Sequence, residues 1–333
     1  MPSASGVIPA TPQPSAPPPP SSEPTNTDSP TRDSHTAQPP SSDCLSPKPS
    51  RKPLLRLELR DLSSSGSREF LRLLHAATTL EAAVDTVLRL LYTGLDTKCI
   101  PPTRSVTLIL RSMDGVAYTT GLDIDDDHKE IHFNTNYISL VDETRLKEEM
   151  EGVIVHEMVH CWQHNALGSA PGGLIEGIAD WVRLKAGFAP PHWRRRADSD
   201  WDAGYERTGY FLEWLEKEHG VHIVRDINEA LRDCQYEAGE FWNKCCGNSI
   251  EELWKGYQKS LAEEEEANKG KQKSVEAQHT PNGNEDQEQQ QHDEDPTTNN
   301  HLSNEDTEDT RDPREKARRG GRMHIPLRSG PAS

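Results

Sequence analysis

Apolar and polar residues alternate along 54–62, LLRLELRDL, and this period of two predicts a strand. In 67–92, SREFLRLLHAATTLEAAVDTVLRLLY, apolar residues return every three or four positions, which predicts one or two helices. SVTLILRS (105–112) and GVAYTTGLD (115–123) read as strands joined by a tight turn at Met113-Asp114, and KEIHFNTNYISLV (129–141) supplies a further alternating strand. A longer helix is expected from about Asp142 to His164, with Asp142 as N-cap and acidic residues in its first turn. Its centre, VIVHEMVHCWQHN, is apolar on most sides. Another apolar helix start follows at Gly172-Gly173-Leu174-Ile175-Glu176-Gly177-Ile178-Ala179-Asp180-Trp181.

Composition confines the folded part. Residues 1–50 are dominated by Pro, Ser and Thr, and 262–333 by Glu, Asp, Gln and Asn; neither stretch has the apolar content to offset its ordering entropy. Both are expected to be disordered, an arm and a low-complexity tail around one domain at 51–261. That middle segment holds all 7 tryptophans and all 5 phenylalanines. The chain carries 37 basic and 55 acidic residues, net −18, which argues against a nucleic-acid footprint and against an anionic membrane surface. The Arg194-Arg195-Arg196 run and the terminal KARRGGR are read as solvated surface and given no function. No stretch approaches the roughly 18–20 continuous apolar residues of a membrane span. The first residues lack the charged and apolar regions of a secretory signal, so an intracellular, cytoplasmic location is favoured. The 6 cysteines show no C-x-x-C spacing and are expected to be reduced thiols.

The chemistry sits at His156-Glu157-Met158-Val159-His160, an H-E-x-x-H motif. Residues four apart on a helix lie on one face about 6 Å apart along the axis, so two imidazoles can converge on one ion. Glu157 then reaches the side where water or substrate sits. A bare five-residue match also fits two incidental surface histidines. The apolar flanks weigh against that, because buried ionisable groups are costly unless paired or metal-bound. Glu176 is suited to be the third ligand, and Asp180, one turn on, to accept the free ring N–H of a liganding histidine. His164 is the rival third ligand, but on a straight helix it would lie about 12 Å along the axis from His156. The extended pattern H-E-x-x-H-x-x-G-x-x-H fails too, since Gln163 stands at its glycine and Ala166 at its last histidine.

HEMVHCWQHN, APGGLIEGIADWVRLKAGFAPPHW and WDAGYERTGYFLEWLE together resemble the plant and fungal basic secretory protein family, over roughly 54–260. The resemblance implies a peptidase-like protein with a zinc site similar to those of thermolysin and the aminopeptidases. His156, His160 and Glu176 would be ligands and Glu157 the base. This chain departs from the family in being acidic, in lacking the usual secretion signal and in its long low-complexity ends. Fifteen residues separate His160 from Glu176, fewer than thermolysin-type enzymes usually have, so the loop Asn165–Gly173 must turn back sharply, aided by Gly168, Pro171, Gly172 and Gly173.

The expected fold is therefore α+β and zincin-like: a small mixed sheet packed on the active-site helix, followed by a helical C-terminal part. An exposed sheet edge, the 129–139 strand, is expected to pair with a peptide or protein substrate. Tyr205 or His192 could support an oxyanion, and Tyr205 is the one assigned. A monomer is assumed. A non-catalytic zinc-binding or interaction protein that keeps the fold is the competing reading.

Overall fold

The computed structural model describes residues 52–277. In chain order these form β1 (Leu54–Leu59), α1 (Ser65–Leu73), α2 (Ala76–Tyr92), β2 (Ser105–Arg111), β3 (Ala117–Leu122), β4 (Asp125–Asn134), α3 (Thr135–Ile138), α4 (Leu146–His160), α5 (Gly172–Lys185), α6 (Tyr205–His219), α7 (Ile223–Ala230), α8 (Ala238–Cys246) and α9 (Ile250–Ala277). The class is α+β, with a small mixed sheet and a helical C-terminal part.

The strands lie in the order β1-β2-β4-β3. β1 and β2 are parallel, so the chain must cross between them, and α1 and α2 provide the crossover. β4 pairs parallel to β2 on one side and antiparallel to β3 on the other. The tight turn after β2 therefore joins strands that do not pair, and β3 forms its hairpin with β4. Leu108 lies opposite Ile131 and Leu110 opposite Phe133. All four are fully buried on the face covered by the helices, which is why β4 takes an interior slot. α2 lies over β1, and α4 over β3.

Four sequence expectations need correction. The 129–141 stretch is strand only as far as Asn134, whose Oδ1 accepts from Asn136 N and whose Nδ2 donates to Gly115 O, turning the chain into α3. Because β4 is paired on both sides, the 129–139 strand is no edge; the edges are β1 and β3. The 142–164 helix is shorter, since Asp142 caps a turn by accepting from Thr144 N, and α4 runs only from Leu146 to His160. The expected tail also begins later than 262: α9 continues to Ala277, anchored by buried Leu253 and Tyr257. The rest of the expected tail, and the expected arm at 1–50, lie outside the described residues.

Close helix approaches are cut by glycine. A Cβ on Gly177 of α5 would overlap the Thr208 side chain of α6, and one on Gly152 of α4 would overlap the Arg183 guanidinium. Arg183, 2% exposed, donates from a terminal nitrogen to Glu149 Oε2 at 2.8 Å and from Nε to Phe188 O at 3.0 Å. Tyr137 donates its hydroxyl to the other Glu149 oxygen at 2.7 Å. α4 and α5 are thus joined by an ion pair shielded from water. In the C-terminal part, Phe211 packs among Trp201, Trp214, Trp242, Trp254 and Tyr257. The five described cysteines, Cys99, Cys161, Cys234, Cys245 and Cys246, are free thiols. Among the described residues no helix is long and apolar enough to cross a membrane.

Removing one partner of the buried pair strands the other charge. Glu149→Ala is expected to lower unfolding stability by about 3–5 kcal/mol, and Glu149→Leu with Arg183→Met to recover most of that loss. Urea unfolding of both variants measures it, and a single-variant loss below about 0.5 kcal/mol, the level of an ordinary surface change, would contradict it.

Candidate metal centre

α4 is buried almost all round, with Val153, Ile154, Val155, Met158 and Val159 in the core. Its two histidines and Glu157 are drawn inside with them: His156 is 7% and Glu157 4% exposed, and His160 is half-buried. The helix stops at His160, and the chain reverses through three successive left-handed residues, Ala166, Leu167 and Gly168, with φ of 53°, 52° and 83°. Glycine adopts such a backbone freely; Ala166 and Leu167 do so at a cost. Ala166 N donates to Leu231 O at 2.9 Å, and Gly168 N to Asn165 Oδ1 at 3.1 Å, holding the reversal in place. Pro171 then starts α5. The sharp return expected between Asn165 and Gly173 is present, and two of the residues that make it are not glycines.

α5 brings Glu176 and Asp180, one turn apart, against α4. His156 Nε2 lies 3.1 Å from Glu176 Oε2 and 3.3 Å from His160 Nε2, and His160 Nε2 lies 3.8 Å from Glu176 Oε2. These three side chains form a set that could hold a metal ion, with ligand atoms all within 4.8 Å of one another. Behind His156, Nδ1 donates to Asp180 Oδ1 at 2.7 Å. Behind His160, Nδ1 lies 2.9 Å from Gln163 Oε1, and Gln163 Nε2 donates to Ile175 O at 2.8 Å.

Two carboxylates facing one buried imidazole make a site that favours positive charge. Burial opposes a charge on His156, but Asp180 and Glu176 outweigh it and raise the ring from 6.5 to about 10. Burial likewise pushes the Glu157 carboxyl above its usual range, against the pull of His156, His160 and a Thr119 hydrogen bond. Thr119, on β3, donates to Glu157 Oε2 at 2.8 Å.

Tyr205 opens α6 with φ 52°, directly after Gly204 at φ 85°. Its ring lies near-parallel to that of His156, with centroids 6.2 Å apart, so this strained residue sits beside the centre. His192 is exposed in the loop between α5 and α6. His164 lies beyond the end of α4, with Nε2 2.9 Å from Cys99 O, and is not part of the triad. Two contacting residues escape the sequence reading. Thr119 reaches Glu157 from another element and leaves no local signal, whereas Gln163, three residues after His160, carries one in its spacing.

If Asp180 fixes the His156 ring, Asp180→Ala is expected to weaken divalent-metal binding about 10–100-fold with all three candidate ligands intact. Competition against a chelator of known affinity measures it. Wild-type affinity in the variant would reduce the contact to packing.

Residues 52–257 match the model of a family described as a peptidase of plants and bacteria. No curated protein and no solved structure matches the chain. Matched over more than half its length, with an α+β core and a helical C-terminal part, the chain belongs to this peptidase family, the basic secretory protein family that its sequence resembles.

Proposed function

We propose that the protein is a zinc-dependent peptidase in which His156, His160 and Glu176 hold the ion and Glu157 is the general base. The observation that carries this reading is the spacing of the triad. A tetrahedral ion with bonds of about 2.0–2.1 Å separates its ligand atoms by about 3.3–3.4 Å, and the separations here are 3.1, 3.3 and 3.8 Å. Two imidazoles and one carboxylate are three protein ligands, the donor set of a catalytic rather than a structural zinc site. Zinc at such a site lowers the pKa of a bound water to about 7 and polarises a carbonyl.

The chain's own residues account for the remaining chemistry. Glu157 takes a proton from the attacking water and returns it to the leaving amine; its burial strengthens it as a base, and Thr119 holds the carboxylate in line. Tyr205, whose ring lies beside His156, would donate its hydroxyl towards a developing oxyanion. β3 supports a peptide or protein substrate, because it carries Thr119 next to the base and forms one edge of the sheet. An extended peptide laid along that edge would gain main-chain hydrogen bonds.

Purified protein is expected to contain about one zinc per chain, and His160→Ala to lose it. Metal analysis decides this; full zinc occupancy in the variant would remove His160 from the ligand set. Glu157→Gln is expected to keep zinc and fold while hydrolysis of a peptide library falls by about 10²–10⁴-fold. Equal cleavage by the two proteins would show another base, and absence of cleavage by either would favour a non-catalytic zinc-binding protein on the same fold.

A further inference from the structure

The Gln163 side chain spans the gap between the end of α4 and the start of α5. Its Nε2 donates to Ile175 O at 2.8 Å, and its Oε1 lies 2.9 Å from His160 Nδ1. The backbone carbonyl can only accept, so Ile175 fixes which end of the amide is which. The remaining oxygen can also only accept, and His160 Nδ1 must then carry a proton. A neutral imidazole has one ring proton; with Nδ1 holding it, Nε2 presents its lone pair. That nitrogen is the one 3.3 Å from His156 Nε2 and 3.8 Å from Glu176 Oε2. The Gln163 backbone is itself held, because its N–H donates to Val159 O at 2.8 Å.

We propose that Gln163 is a positioning residue: it locks His160 in the Nδ1–H tautomer, so that Nε2 faces the triad, and through Ile175 ties that ring to the helix carrying Glu176. Asp180 gives His156 a charged partner, whereas Gln163 gives His160 a neutral one, so one ring is held by charge and the other by the fixed direction of an amide. The consequence for metal affinity rests on the zinc reading above. The consequence for the His160 proton does not.

The experiment uses the full-length protein, stripped of metal and labelled with ¹⁵N at histidine, and reads the His160 tautomer from long-range ¹H–¹⁵N correlations. Zinc affinity is measured in parallel by chelator competition. Wild type is expected to carry its proton on Nδ1. Gln163→Leu is expected to move the ring towards the Nε2–H form and to weaken zinc about 10–100-fold. Gln163→Glu, which keeps an acceptor at Nδ1, should restore the Nδ1–H form and bring affinity back to within about ten-fold of wild type. A wild-type tautomer and affinity in Gln163→Leu would overturn the proposal. If Gln163→Leu does not fold, Gln163→Glu carries the test: a proton on Nδ1, whether or not Nε2 is also protonated, supports the proposal, and a neutral ring protonated on Nε2 alone overturns it. Failure of wild type to bind zinc would sink the metal reading, while the tautomers would still decide the role of Gln163.

Discussion

The pairing of α4 with α5 is the constraint on which the centre depends. These two helices run in opposite directions and are joined by two polar rungs, Glu149 with Arg183 and His156 with Asp180, with Gln163, just past the end of α4, bonded to Ile175. Glu149 precedes His156 by seven residues and Arg183 follows Glu176 by seven, so on each helix the anchor stands two turns from a candidate ligand, on nearly the same face. A slip of one residue between the helices would break the ion pair and the triad together. Burying a guanidinium is costly unless it is fully paired, and Arg183 meets that condition through Glu149, the Phe188 carbonyl and the Trp193 ring beneath it. The cost of mispairing this group sets the register.

Small residues let the pairing close. Gly152 leaves the space that the guanidinium fills, and Gly177 lets α6 approach α5. Gly173 does the same for the chain entering α6, where an added Cβ would overlap the Asp202 carbonyl. Gly173 and Gly177 stand four residues apart on one face of α5, so the segment entering α6 packs closely along the helix that carries Glu176. In the same stretch Gly204 precedes the strained Tyr205, and the backbone that carries this ring over His156 leans against the start of α5. Packing that looks remote from the chemistry therefore fixes the atoms nearest to it.

Much of this was legible in the sequence, for a physical reason: the decisive signals are local. H-E-x-x-H on an apolar helix, and Glu176 with Asp180 one turn apart on the next, need only helical periodicity to be read. What escaped was information that a single element does not contain. The alternation through KEIHFN identifies a strand, yet that β4 lies inside the sheet and β3 at its edge depends on pairing among three strands. The pattern also ran past Asn134 because a side chain that bonds its own backbone leaves no mark on hydrophobic periodicity. Asp142 looked like a helix cap for the same reason, since an Asp that accepts from the residue two along closes a turn as readily as it starts a helix. α9 outran its predicted end because Leu253 and Tyr257 anchor its first turns, and the charged stretch beyond needs only to continue a helix already begun.

The reversal at Ala166, Leu167 and Gly168 has a consequence for how the molecule assembles. It brings His156, His160, Glu176, Asp180 and Gln163 together from one short length of chain, so closing the loop between them costs little entropy. The sheet is the opposite case, because its parallel pairings join distant segments, and such contacts form slowly. A helical hairpin of this kind can come together early, with the candidate ligands gathered before the strands are in order. Thr119 and Tyr205 arrive from outside the hairpin and complete the surroundings only when the rest has folded. Gathering the candidate ligands is thus a local event in folding, and setting Glu157 and Tyr205 around them is a global one.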